Sequence, residues 1–440
     1  MRAILLLISL LCLTFFRPVM LLLYPVFLLF LFKGLNLKVD KKVFLLCAGM
    51  VVFGLLSMVL EGFFLFNLLL NLYLVSLPFL LITANPVKIQ SSQYKGYFKT
   101  FLNYFSIVLF LVNISAVFYS LYMLTTTANP EDIFTGLYGG SGFGSHSLSI
   151  INLFLATYYF FHKQYGYFTL FFICGILGFY GQGLVIFLLA FGIVMLPFLI
   201  RNIGLALKIG VAALVFFAVV TLINPGNLTY IQNNTRFFKS ILDNYEYEEE
   251  MDRIASYRRT IIPRYFTFLD GTRQLYFSDA KVFLLGTSPG TYNSRTAFYL
   301  NGDFVGNKQF RKYFNYRTTY HSKYVFPILN REYVEYAPWN DGTRNQPFSS
   351  IVSMLLEYGF VLGGLYLLLF FGAIYRIRGQ LDNKPDRMFV LFALLYIFFL
   401  FLFQYYLEVV EIILPLLLMV KLLQVDHINR PDQLEESLST

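Results

Sequence analysis

Hydrophobic residues fall in long blocks separated by short polar connections. The blocks cover 3–16, 19–32, 43–60, 62–82, 101–124, 148–161, 167–180, 183–200 and 205–223, then 348–375, 388–403 and 409–423. Each reads as a helix, which makes about twelve spans, several shorter than the roughly 17 residues an upright transmembrane helix needs. The first block has the size of a secretory signal. No small-residue cleavage site follows it, however, and Arg17-Pro18 leads directly into the second block, so the pair predicts a tight helical hairpin.

The polar connections alternate in charge. Lys33, Lys38, Lys41 and Lys42 share one; Lys88, Lys95 and Lys99 the next; then Lys163; then Arg201 and Lys208; then Arg376, Arg378, Lys384 and Arg387. The connections between them, around Glu61, Glu131 and Asp132, Gly181 and Glu408, carry neither Lys nor Arg. By the positive-inside rule both termini are cytoplasmic. The expected organisation is transmembrane helices 1–9 over 1–223, an extracytoplasmic (periplasmic) loop domain over 224–345, helices 10–12 over 346–425 and a cytoplasmic tail over 426–440. An all-α polytopic membrane protein with a large, partly helical loop between helices 9 and 10 is therefore predicted.

Composition agrees with lipid as the solvent. The 440 residues are 57% hydrophobic and 13% charged, more apolar surface than a soluble core can hide. The 51 Phe and 33 Tyr exceed what interfacial belts need, so some rings are expected to line a site. The net charge of +9 lies largely in the basic connections, which argues against nucleic-acid binding. Cys12, Cys47 and Cys174 sit inside apolar blocks and read as small core residues.

Candidate chemistry concentrates in the long outer loop, which is too long to be a plain connection. Eleven arginines stand there against the positive-inside bias: Arg236, Arg253, Arg258, Arg259, Arg264, Arg273, Arg295, Arg311, Arg317, Arg331 and Arg344. A helix is expected over 245–269, with acids near its start and Arg258, Arg259 and Arg264 near its end, as the macrodipole prefers; after Asp270-Gly271 the chain reads as irregular loop. Guanidinium groups bind phosphate bidentately, so these arginines suit a diphosphate, although pairing with the acids at 246–252 is the plainer alternative. Arg17, in the first hairpin, is a weaker phosphate candidate. The stretch Leu284-Leu285-Gly286-Thr287-Ser288-Pro289-Gly290-Thr291-Tyr292-Asn293-Ser294-Arg295 offers a tight backbone, or simply a turn.

Glu357 lies about ten positions into an apolar block, where a carboxylate is costly unless it meets a polar cavity or a partner; Glu408 and Glu411 repeat that signal more weakly. His321 is a candidate general base, although a lone loop histidine is commonly a surface residue. No metal-binding spacing is visible in the sequence, so metal-independent chemistry without a cofactor is expected.

The topology, the loop arginines, Gly286-Thr287-Ser288-Pro289-Gly290-Thr291-Tyr292 and the Leu356-Glu357-Tyr358-Gly359 span together resemble the O-antigen polymerase and O-antigen ligase superfamily of glycosyltransferases. The topological likeness covers nearly the whole chain; the motif likeness covers 258–295 and 345–364. The resemblance implies an inner-membrane enzyme whose donor and acceptor are undecaprenyl-pyrophosphate-linked oligosaccharides, with membrane lipid around it and a chain-length regulator protein as a candidate partner. It implies pyrophosphate binding by Arg258, Arg259, Arg264 or Arg295, glycan contacts at Gly286, Gly290, Tyr292 and Arg344, and His321 or Glu357 as candidates to take the acceptor proton. Ligases carry a His-Asn pair where this chain reads Pro347-Phe348-Ser349, and Gly181-Gln182-Gly183 stands where Ser-Arg-Gly often opens the eighth span. Both departures favour a polymerase over an O-antigen ligase or a protein O-oligosaccharyltransferase. A transporter or flippase shares the span count but usually has short loops and internal repeats.

Overall fold

The computed structural model describes residues 1–61, 65–88, 96–125, 133–139, 142–178, 180–202, 264–300, 319–325 and 349–429, with a few positions between 204 and 218. The first half forms α1 (Arg2–Leu13), α2 (Arg17–Gly34), α3 (Lys41–Glu61), α4 (Leu65–Thr83), α5 (Tyr97–Leu124), α6 (Gly142–Phe161), α7 (Tyr165–Leu177) and α8 (Gly181–Arg201). The insertion contributes α9 (Arg264–Ser278), α10 (Ala280–Leu285) and α11 (Arg295–Leu300). The last part forms α12 (Ser350–Tyr358), a π turn (Gly359–Gly363), α13 (Gly364–Gln380), α14 (Lys384–Phe403) and α15 (Val410–Ile428). Among the described residues the only β pairing is a two-residue antiparallel bridge, β1 (Leu37–Lys38) with β2 (Asn85–Pro86).

The protein is an all-α, multi-pass membrane protein. Among the described residues seven helices are long and apolar enough to cross a bilayer: Arg17–Gly34, Lys41–Leu60, Leu65–Thr83, Tyr97–Leu124, Gly181–Arg201, Ser350–Gln380 and Lys384–Phe403. The described part of every apolar block except 205–223, which falls mostly outside the described residues, lies largely on a helix.

α15 is the axis of the bundle. Its side chains from Ile412 to Val425 are buried on every face, because α1, α2, α4, α5, α6, α13 and α14 all pack around it. A helix apolar all round is stable only when it is enclosed in this way or solvated by lipid. Neighbouring helices are pinned by side-chain bonds that satisfy polar groups away from water. Asn113 on α5 and Asn152 on α6 exchange two amide bonds of 2.7 and 2.9 Å, and Tyr366 donates to the Val75 carbonyl at 2.7 Å. α6 and α7 approach closely where the Ser145 and Ser149 hydroxyls bond the carbonyls of Gly178 and Gly175, both at 2.7 Å.

The connections gather at two ends. At one, which bears the insertion, Phe15 N–H donates to the Leu137 carbonyl, Gln404 to Gln182, Ser350 N–H to the Gln404 carbonyl and Arg295 N–H to Glu408. At the other, Asn36 meets Val87, Tyr97 and Phe98 meet Asp426, and His162 meets Asp386. The described lysines and arginines of the short basic connections, from Lys33 through Arg387, attach to this second end, called the basic end below.

The expected loop after Asp270-Gly271 is instead helix, since α9 runs through to Ser278 and α10 follows. Asp270 is tied within the helix to Arg273 at 2.8 Å and to Gln274 at 3.2 Å, while Phe268, Thr272 and Leu275 bury one helical face. Arg264 consequently has most of α9 following it, and the argument that placed it near a helix C-terminus does not hold.

Candidate functional site

α10 is started by Asp279, whose carboxylate accepts the N–H groups of Lys281 and Val282, and is ended by Gly286 at φ +86°. From Gly286 to Ser294 the chain is buried, an unusual place for non-regular backbone, so each of its polar groups must find a partner. The partners come from α12. Thr287 and Ser288 N–H donate to the carbonyls of Leu356 and Glu357 at 2.7 and 3.1 Å, taking carbonyls that the break between α12 and the π turn would otherwise orphan.

That approach works only because two glycines face each other. A Cβ on Gly286 would stand 2.6 Å from the Glu357 carbonyl oxygen, and one on Gly359, at φ +68°, would stand 2.3 Å from the Leu284 oxygen. Between them Ser288 takes φ +97°, a left-handed conformation costly for a residue with a side chain.

Two buried carboxylates then hold the segment from inside. Glu357 Oε2 accepts Gly290 N–H at 2.7 Å and the Asn71 amide at 3.1 Å; its Oε1 accepts Tyr292 N–H at 3.0 Å and Ser294 N–H at 3.1 Å. Asn71 is itself set by the Tyr358 hydroxyl at 2.6 Å, and Asn67, one turn earlier on α4, donates to the Gly290 carbonyl at 2.7 Å. Glu408 takes over at the next step, accepting the N–H groups of Arg295 and Thr296, both at 3.1 Å, and the Thr296 hydroxyl at 3.3 Å. Burial, and next the neighbouring Glu357 carboxylate, push the Glu408 carboxyl up to about 7 against the pull of those N–H groups.

His321 closes the cluster. It is fully buried, not on the surface, and its Nδ1 lies 2.6 Å from the Tyr292 carbonyl oxygen, with the Phe298 ring edge-on at 5.2 Å. A carbonyl only accepts, so Nδ1 carries a proton and in the neutral ring Nε2 carries the lone pair, the tautomer a base requires. Peptide 292 is thus gripped from both sides, its N–H by Glu357 and its carbonyl by His321. The half-buried Arg295 guanidinium reaches the Glu408 carbonyl at 3.4 Å and lies 5.7 Å from the Tyr405 ring centre.

The structure therefore brings Gly286, Gly290, Tyr292, Arg295, His321 and Glu357 into one hydrogen-bonded neighbourhood, although several take roles other than those expected. Glu357 has its lone-pair directions filled by four N–H donors, so it organises the segment and is not placed to take a proton from a hydroxyl. Gly286 and Gly290 make room for the protein's own atoms, namely α12 backbone for the first and Asn67 and Thr296 for the second. Tyr292 is packed inward against Phe268, its hydroxyl 2.8 Å from that of Thr272, so its ring is no platform for a sugar. Arg264 lies on α9; Arg258, Arg259 and Arg344 lie outside the described residues.

Asn67 and Asn71 escaped the sequence reading. Their signal was two amides at i,i+4 inside an apolar block, which places both on one helical face where only a buried partner justifies them. No known family model, curated protein or solved structure matches this chain.

Proposed function

We propose that the protein is a membrane glycosyltransferase that polymerises undecaprenyl-pyrophosphate-linked oligosaccharide repeat units into a surface polysaccharide, in the manner of the O-antigen polymerases its sequence resembles. In this reading about twelve spans sit in the bacterial inner membrane, both termini are cytoplasmic, and the insertion end faces outward. The observation that carries it is the buried segment 286–297, which two carboxylates lock to the span helices and which delivers Arg295 and the His321-bound Tyr292 peptide to the insertion end. Such investment suits a site that needs fixed geometry at the membrane surface.

The chemistry follows from the groups available. A hydroxyl of the acceptor glycan attacks the anomeric carbon of the donor; the bond from that carbon to the pyrophosphate oxygen breaks, and undecaprenyl pyrophosphate leaves with the electron pair. Arg295, with Arg258, Arg259 or Arg264, stabilises the negative charge on the leaving group, an effect strongest where water is scarce. Of the two proposed bases, Glu357 is committed to four N–H donors, so in this reading His321, whose Nδ1 bonds the Tyr292 carbonyl, is the group that takes the acceptor proton. Arg344 remains a candidate for the glycan.

The test is the glycan ladder of a deletion strain complemented with wild type, Arg258→Ala, Arg259→Ala, Arg264→Ala, Arg295→Ala, Arg344→Ala or His321→Ala, each at normal membrane abundance. Wild type restores the ladder, while His321→Ala and at least one arginine variant leave a band of single units. A full ladder from every variant removes the site. A deletion without effect on the ladder removes the polymerase reading in favour of a transporter, for which the span broken at Gly359 beside a buried acid is the one favourable feature.

A further inference from the structure

Arg17, at the turn between α1 and α2, has no role in the site above. It stands at the insertion end, where cations of the short connections are otherwise absent, and it is half-buried. Its guanidinium lies over the Tyr138 ring, 4.1 Å from the centroid, and Nη2 donates to the Gly139 carbonyl at 3.2 Å. Nη1 is buried without an acceptor. A charged donor left in this state costs about 1–3 kcal/mol or more, which an anion beside the accessible part of the guanidinium would offset.

Among the described residues no carboxylate forms an ion pair with it. Burial, only partly offset by Arg17, holds the Tyr138 phenol up to about 12, so it stays uncharged. The Glu411 carboxylate on α15 is close enough to bear on Tyr138, yet no ion pair joins it to Arg17. The turn is fixed in place: Phe15 N–H donates to the Leu137 carbonyl at 2.9 Å, and Gly136 and Gly139 take φ of +49° and +70° to bring that strip of chain against it. Around the guanidinium Phe15, Phe16 and Leu137 are exposed, an apolar rim beside a cation of the kind that suits the boundary between a bilayer's head groups and its tails.

We infer that Arg17, seated on Tyr138 and Gly139, is a binding site for the phosphate head of a lipid whose tail lies along Phe15, Phe16 and Leu137. Guanidinium suits the head because two of its N–H groups can meet two phosphate oxygens at once, which a lysine ammonium cannot do. The site is separate from segment 286–297, and its binding is measured without turnover, so it stands or falls independently of the polymerase reading.

The experiment uses delipidated full-length protein in detergent, titrated with three probes: dioleoyl phosphatidate, dioleoylglycerol as the tail without its phosphate, and inorganic phosphate as the head without its tail. Binding is read by native mass spectrometry and melting temperature. Phosphatidate is expected to bind and to raise the melting temperature, with neither other probe doing so at the same concentration. Arg17→Gln is expected to weaken phosphatidate binding about tenfold or more, and Arg17→Lys, which keeps stem and charge but loses the fork, to fall between. Glu411→Gln, which removes the competing carboxylate, is expected to keep or tighten binding. Equal phosphatidate affinity in wild type and Arg17→Gln, or, where Arg17→Gln does not fold, in wild type and Arg17→Lys, overturns the site. Equal response to inorganic phosphate overturns the lipid as its source, and loss of binding in Glu411→Gln, which leaves the guanidinium and its Tyr138 and Gly139 seat in place, overturns Arg17 as the anchor.

Discussion

At the basic end, Asp426 accepts the N–H groups of Tyr97 and Phe98, capping the start of α5; Lys421 donates to the Ala84 carbonyl at 2.6 Å; and His162 bonds Asp386 at 2.9 Å. Each of these groups closes a helix end or a short turn of a few residues. At the insertion end, Glu357 and Glu408 between them accept seven hydrogen bonds, five of them from backbone N–H groups of one continuous stretch, Gly290 to Thr296. The same physical device, an acidic side chain accepting backbone N–H groups, therefore does two jobs. Where connections are short it caps helices; where a long insertion enters the bundle it replaces the secondary structure that the buried backbone lacks. The second use leaves more donors dependent on one side chain, and that asymmetry is measurable.

Glu357→Ala should give the largest effect. It strands three backbone N–H groups and the Asn71 amide in a buried place, costing about 3–5 kcal/mol, and well-folded yield in detergent should collapse. Asp426→Ala, at a part-buried cap, should cost about 1 kcal/mol. Equal losses for the two variants would erase the contrast between the ends.

Gly286→Ala and Gly359→Ala come next. Each places a methyl group within 2.6 Å of backbone at a positive φ, which predicts losses of about 2–4 kcal/mol. Gly372→Ala on α13, where a Cβ meets nothing within 4 Å, is the control and should leave the melting temperature unchanged or higher. Tolerance of alanine at both facing positions would mean that α10 and α12 are not in backbone contact.

The smallest effects are in pH dependence, and the two ends separate by window. Glu408 keeps its proton to about 7 when folded and to about 4.5 when unfolded, so its contribution is full below pH 4.5 and is lost as pH rises to about 7. Between pH 6 and 7 this weakens the fold by up to about 1.4 kcal/mol, and Glu408→Gln should flatten that slope. For His162, burial alone would lower the pKa; the Asp386 hydrogen bond, the Tyr158 carbonyl and the Asp386 charge raise it overall. Its contribution is full below pH 6.5 and is lost as pH climbs through the higher folded value. Melting curves of wild type, Glu408→Gln and His162→Gln from pH 5 to 9 check both. A wild-type melting temperature that rises across that range contradicts both assignments.

Much of the fold was legible because membrane spans announce themselves locally. An apolar block such as 183–200 has one stable state in lipid whatever surrounds it, and alternating basic connections sort the loops without any knowledge of packing. Glu357 was legible for the same reason, since a carboxylate inside such a block demands a partner. Its partner was not. The sequence suggested a polar cavity, an unspecified partner or a reacting hydroxyl, whereas the structure supplies backbone amides from more than sixty residues away. Backbone N–H groups are the same in every residue, so no letter in 286–297 marks which of them will be orphaned and in need of a charge. Asp270-Gly271 misled in the opposite direction: local propensity favours a stop there, and the burial of Phe268, Thr272 and Leu275 carries the helix through. The sequence by itself determined the class of the protein, the helices of its long apolar blocks and the residue types that needed explaining. Only the tertiary structure decided that Gly286 and Gly359 meet, that His321 is buried with its Nδ1 committed, and that Arg17 holds an unanswered N–H. Those facts depend on contacts between distant segments, and such contacts are settled by packing, not by any local pattern.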